Sequence, residues 1–134
     1  MTTELLLPAG TATWDEVARS IENAVGDLIA ERVAGIGVTV QGQEARIDGH
    51  RTADRCIRLT ARGNDELSGT NRLTVRDERA VLAVGFSAAS ASWGSFFWDW
   101  TAPVDPAAVA SGIVRTFRDI HKVDPTDLEL VVTL

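Results

Sequence analysis

The run Phe96-Phe97-Trp98-Asp99-Trp100 holds four of the chain's eight aromatic residues, and Phe86 and Trp93 stand just before it. A surface loop would not carry so many rings. In an extended chain alternate side chains point to opposite faces, so Phe96, Trp98 and Trp100 share one face while Phe97 and Asp99 share the other. Large apolar groups on both faces mean that the segment crosses the middle of the fold or presents one aromatic face to a partner. An aromatic core and an aromatic binding surface look alike at this level, and the function turns on which of them holds.

Working outward, Ser87 to Ser95 is small and polar apart from Trp93, and forms a loop into the aromatic strand. Before it, Thr74 and Asp77 form a capping signal for a helix of about three turns carrying Val75, Val81 and Leu82 and ended by Gly85. Beyond it, Pro103 closes the strand, and Asp105 with Pro106 opens a further helix whose apolar stripe is Val109, Ile113, Val114, Phe117 and Ile120. Arg115, Arg118, His121 and Lys122 suit the negative C-terminal end of that helix. Asp124-Pro125 stops it, and Leu128, Leu130, Val132 and Leu134 alternate as a last strand.

Toward the N-terminus, Thr13 and Glu16 form a capping box for a helix over 13–34. Its apolar positions Trp14, Val17, Ile21, Val25 and Leu28 recur at helical spacing, and Gly35 and Gly37 end it. Ile36, Val38 and Val40 begin a strand. The polar stretch Arg46-Ile47-Asp48-Gly49-His50-Arg51 fits either a second strand or a long exposed connection, and residues 43–53 stay undecided. Arg55 to Ala61 alternates again, and the turn Gly63-Asn64-Asp65 joins it to a strand over Glu66 to Asn71 as a hairpin. The expected fold is therefore α+β: three helices on a mostly antiparallel sheet, in the order α-β-β-β-α-β-α-β, as one domain over 1–134 with 1–12 as a lead.

At 134 residues the chain can bury roughly two-thirds of its unfolded surface without a metal or disulfide. No apolar run is long enough to span a membrane, and the N-terminus lacks the basic region and apolar core of a signal peptide. The single cysteine, Cys56, forms no internal disulfide and suits a reducing compartment as a buried structural thiol, so a cytoplasmic location is expected. A net charge of −6 argues against nucleic acid or an anionic membrane as partner. The central arginines, among them Arg46, Arg55, Arg58 and Arg62, are offset by interleaved acids such as Glu44, Asp48 and Asp54.

No catalytic or metal signature is present. The two histidines, His50 and His121, stand in no recognised context: His121 ends a helix, where an imidazole answers the dipole, and His50 lies in the polar stretch. No cofactor and no metal are expected. Asp99, the one acid in the aromatic run, must face water or meet an arginine, because an unpaired buried carboxylate is costly. To serve as a general acid it would need a raised pKa and a cleft.

The second half also has a recognisable order of motifs. Gly69-Thr70-Asn71-Arg72-Leu73 precedes the short helix, which ends in Leu82-Ala83-Val84-Gly85-Phe86. Trp98 and Trp100 follow, then Ile113-Val114-Arg115-Thr116-Phe117-Arg118, then Val123-Asp124-Pro125-Thr126-Asp127-Leu128. Over roughly 13–130 this resembles the actinobacterial branch of the type III secretion chaperone-like and YbjN-like superfamily of peptide-binding chaperones, with Phe86 where that family usually has tryptophan. The resemblance implies a helix-sheet-helix fold that often dimerises and binds an extended segment of another protein, and it brings no catalytic residues.

The leading expectation is a non-enzymatic, chaperone-like module that holds a protein or peptide client against Trp93, Phe97, Trp98 and Trp100, with Arg55 and Arg58 orienting it. The alternatives are a structural homodimer with the aromatic face as its interface, and an enzyme of unrecognised type resting on Asp99, His50 and the central arginines.

Overall fold

The computed structural model describes residues 3–7, 10, 13–88 and 95–134. Its elements are β1 (Thr3–Leu7), α1 (Trp14–Ile29), β2 (Gly35–Val40), β3 (Arg46–Ala53), β4 (Cys56–Arg62), α2 (Val75–Val84), β5 (Ser87–Ala88), β6 (Ser95–Trp100), α3 (Pro106–Arg115) and β7 (Leu128–Thr133). Among the described residues the strands form one antiparallel sheet in the order β1-β7-β2-β3-β4-β6-β5. The expected α+β architecture and order are present, with β1 added in front and β5 as a short edge.

Register explains the two faces of this sheet. Val132, Ile36, Gly49, Leu59 and Trp98 stand side by side across five strands, and the next row is Leu130, Val38, Ile47, Ala61 and Phe96. The apolar side chains of both rows face the helices, and all but the half-buried Trp98 are buried. Val17, Ile21, Val25 and Leu28 of α1 and Val109, Ile113 and Val114 of α3 close the core over them, together with Phe117 from the π-helical turn Thr116–Ile120 that continues α3. Removing such side chains from water is the main favourable term holding the layers together.

Several elements differ from the sequence expectation. Residues 46–53 are a strand at the centre of the sheet, and their polarity records an open face: Arg46, Asp48 and His50 point away from the helices, while Ile47 and Gly49 point toward them. A β-carbon on Gly49 would lie 2.9 Å from Ile36 Cγ1, so glycine there gives its larger neighbours their space. The expected strand over Glu66 to Asn71 is absent. Asn64 instead clasps Leu73 through both backbone groups, accepting from Leu73 N at 2.7 Å and donating to Leu73 O at 2.9 Å. Between them the chain closes through a 3₁₀ turn, Gly69–Asn71, and buries Leu67 and Leu73.

α1 stops at Ile29, short of the expected Ala34, and Gly35 and Gly37 belong to β2. Glu31 takes a left-handed conformation, and the Arg51 guanidinium donates to Leu28 O and Val33 O at 2.7 and 2.6 Å. A side chain from β3 thus satisfies carbonyls around the helix end, a role local sequence gives to glycine. The first residues are more than a lead, since Thr3–Leu7 pair with β7. Ser87–Ala88, expected in a loop, pair with Phe96 and Phe97. On α2 only Val81 is buried, leaving Val75 and Leu82 outside, and Cys56 is half-buried where full burial was expected.

Candidate functional site

β6 lies between β4 and β5 and divides its side chains between two environments. On the helix side Phe96 is buried, and Trp98 and Trp100 are half-buried with ring centroids 4.5 Å apart. Phe86 meets Trp98 edge-on at 5.3 Å, an arrangement that aligns the positive ring edge with the negative face. Two glycines make room for the Trp98 indole. A β-carbon on Gly112 of α3 would lie 2.6 Å from Trp98 Cζ3, and one on Gly85, which caps α2 at φ 143°, would lie closer still to Cζ2. The α3 stripe thus covers one face of the aromatic strand, as its spacing predicts. The Trp100 indole N–H is buried without a hydrogen-bond partner.

On the open side Phe97 and Asp99 stand beside Thr60 and Arg58 of β4, with Asp48 and His50 of β3 next in the same rows. The Arg58 guanidinium lies over the Phe97 ring, 4.8 Å from its centroid, and grips both Asp99 oxygens at 2.6 and 2.8 Å. Stacking and bidentate pairing from one arginine fix both side chains. These hydrogen bonds hold the Asp99 carboxyl below the usual aspartate range, with His50 adding to the pull. Asp99 is therefore ionised at neutral pH, the opposite of what a general acid requires. Further along, Arg46 binds Asp48 at 2.8 Å across Gly37, and Arg62 reaches Glu66 at 3.4 Å.

The residues singled out from the sequence thus fall into separate places. Phe97 and Arg58 form one cluster on the open face. Trp98 and Trp100 belong with Phe86 on the opposite side. Arg55 sits in the β3–β4 turn with φ 56° and lines a cavity of about 490 Å³ with Glu31, Asp54, Ile29, Val104 and Pro106. Trp93 lies outside the described residues. His50 is an exposed member of the open face, and His121 is half-buried against Phe117, its pKa lowered by burial.

Sequence reasoning did not anticipate the Glu44 cluster beside this face. Its carboxylate accepts from Ser68 Oγ at 2.6 Å and Ser68 N at 3.1 Å, which hold its pKa below the usual glutamate value, and Asn71 reaches it at 3.4 Å. These partners are 24 to 27 positions apart, so no local spacing reveals them. Among the described residues no group of His, Cys, Asp and Glu is arranged to hold a metal, and no helix is long and apolar enough to cross a membrane.

Comparison with curated proteins gives no significant match, and comparison with solved structures gives none either. Comparison with protein families does: the family described as T3SS (YopN, CesT) and YbjN peptide-binding chaperone 3 matches residues 8–132, nearly the whole chain, and the protein belongs to that family.

Proposed function

We propose that the protein is a non-enzymatic, chaperone-like module that binds an extended segment of a client protein on the open face of its sheet, around Phe97 and Arg58. The observation that carries this reading is the placement of the helices. Among the described residues all three pack on the Trp98 side, and the opposite face of β3, β4 and β6 has no covering layer. An antiparallel sheet can leave one face to water, and such a face is commonly polar. Here it includes the half-exposed Phe97 ring, held flat by Arg58. A client lying across the strands would place an apolar side chain on Phe97 and pair its charged groups with the Arg46–Asp48 and Arg58–Asp99 pairs. Family membership supports a peptide client, and the reading includes a cytoplasmic location.

A photo-crosslinking amino acid placed at Phe97, and for comparison at Glu22 on α1, tests the reading in extract of the source cells. The expected result is defined client adducts from position 97 that an unlabelled client peptide competes away. Equal adducts from both positions, or none from position 97, would overturn it.

A second reading is favoured by β1. One side of this strand pairs with β7, while Leu5 and Leu6 are 50% and 41% exposed. An apolar edge with free backbone groups invites pairing with another strand, so a homodimer would form through β1, leaving the aromatic strand free. Light scattering on the wild type and on Leu5→Lys distinguishes the two: a dimer that the substitution dissociates supports the β1 interface, and a wild-type monomer removes it.

A further inference from the structure

We propose a second docking surface, on the outer face of α2, whose partner is an acidic amphipathic helical segment of another protein. It does not depend on the open sheet face. Ten residues long, α2 touches the body with Val81 buried and Asp77, Glu78, Ala80 and Val84 half-buried. At 100° per residue these fall on one side of the helix. The opposite arc is Leu82, Val75, Arg79, Ala83 and Arg76 in angular order, and all five are exposed, with Val75 at 64% and Leu82 at 44%.

Val75 and Leu82 are seven residues apart and so line up along the helix, with Arg79 between them and Arg76 beside it. Neither arginine has a carboxylate within ion-pair distance among the described residues. Two acids are near in sequence: Asp77 accepts from Thr74 N in the capping box on the other side of the helix, and Glu78 stands at the border of the stripe beyond Leu82, about 100° round the helix from Arg79, with no ion pair to either arginine among the described residues. The chain carries a net charge of −6, yet this stripe is apolar and positive, with Glu78 at its border and both arginines outside any ion pair among the described residues. The complement is a helix that presents two apolar residues a heptad apart with acidic residues between and beside them. An anionic bilayer is a poorer match: two apolar side chains anchor weakly, and the chain's overall negative charge is repelled.

The test uses the intact protein, isotope-labelled for amide NMR. The probe is a synthetic peptide of about 14 residues, with leucines one heptad apart and glutamates between and around them. Its controls are the same peptide with Gln for every Glu, and vesicles of phosphatidylglycerol. The expected result is amide shifts centred on Val75, Arg79 and Leu82. Binding should weaken roughly tenfold or more for R76E/R79E and for the Gln peptide, and should fall with added salt. All substituted positions are exposed, so the unshifted amides of the variant report that it folds. Shifts centred elsewhere, affinity unchanged in R76E/R79E, or α2 responding to vesicles and not to the peptide would each overturn the proposal. Crosslinking from Phe97 is a separate readout and is unaffected by any of these outcomes.

Discussion

Replacing Gly112 by alanine sets two effects of opposite sign against each other. Glycine inside a helix costs about 0.5–1 kcal/mol relative to alanine, because it gives up more backbone freedom on folding. Gly112 lies within α3, so Gly112→Ala on an isolated helix would stabilise by that amount. In the folded protein the new methyl would lie 2.6 Å from Trp98 Cζ3 and 3.1 Å from Cη2, where carbon atoms rest at about 3.5–4.0 Å. One partner must retreat by about 1 Å. The half-buried indole is held on several sides, since Gly85 bounds another of its edges and Phe86 and Trp100 pack against it. Overpacking of this kind costs about 1–3 kcal/mol. The clash outweighs the propensity gain, and the expected net effect is a destabilisation of up to about 2 kcal/mol.

A double-mutant cycle with Trp98→Leu separates the two effects. In that background the ring is gone, and Gly112→Ala should become neutral or stabilise by up to about 1 kcal/mol, giving a coupling of about 1–3 kcal/mol. Urea unfolding followed by far-ultraviolet circular dichroism measures all four proteins, with the slope compared across them to check that the transition stays two-state. If Gly112→Ala stabilises the wild type, or costs the same in both backgrounds, then the indole does not press on α3 and the account of how β6 is buried is wrong.

Asn64→Ala should destabilise by about 1–3 kcal/mol, because Leu73 N and O would lose their partners in a part-buried site, and proteolysis should then cut first within 64–73; a variant as stable and as resistant as wild type would show that the clasp is not needed. Arg58→Ala should raise the Asp99 pKa toward its ordinary value in a carboxyl-carbon NMR titration. A depressed aspartate contributes stability that is complete above about pH 3.9 and is lost as the pH falls through the folded value, so the Arg58→Ala variant should show a flatter acid limb. An Asp99 pKa unmoved by the substitution would contradict the pairing. His121 is depressed by burial, with Asp77 opposing, so its contribution is complete above about pH 6.5 and falls as it takes up a proton at lower pH. The urea midpoint should therefore decline from about pH 7 to pH 5 in the wild type and less so in His121→Gln, and parallel declines would exclude His121 as the source.

The parts of the fold governed by local periodicity were legible. The Thr13, Thr74 and Asp105 caps stand where they were read, and the stripes of α1 and α3 fill the core. The end of α1 was not legible, because the group that satisfies its carbonyls is Arg51, 18 to 23 residues away. β3 was ambiguous because a strand with one face in water and a glycine on the other has few apolar residues to count. The false strand at Glu66 to Asn71 followed from the turn chemistry of Gly63-Asn64-Asp65, whose asparagine binds Leu73 in place of opening a hairpin. Alternation correctly separated Phe97 and Asp99 from Trp98 and Trp100. Which of the two faces is covered is a tertiary fact, set by the glycines on α3 and at the end of α2.

That separation also constrains how a client is held. Trp98 and Trp100 project from the helix side of the sheet, so the sheet itself separates them from a segment bound to the open face. What it meets there is one apolar ring and charged pairs that are already satisfied, each a third to a half exposed. Such pairs contribute little to affinity while they remain in water, and an existing pair must be opened or shared before it can bind a new partner. Recognition on this face would therefore rest on Phe97 and on spreading a client across several strands, giving weak contacts over a wide area with little sequence demand. Tight, selective binding would instead require the client to engage another surface as well, and Arg76 and Arg79 of α2, which form no ion pair among the described residues, are a place where new ion pairs can form without breaking old ones.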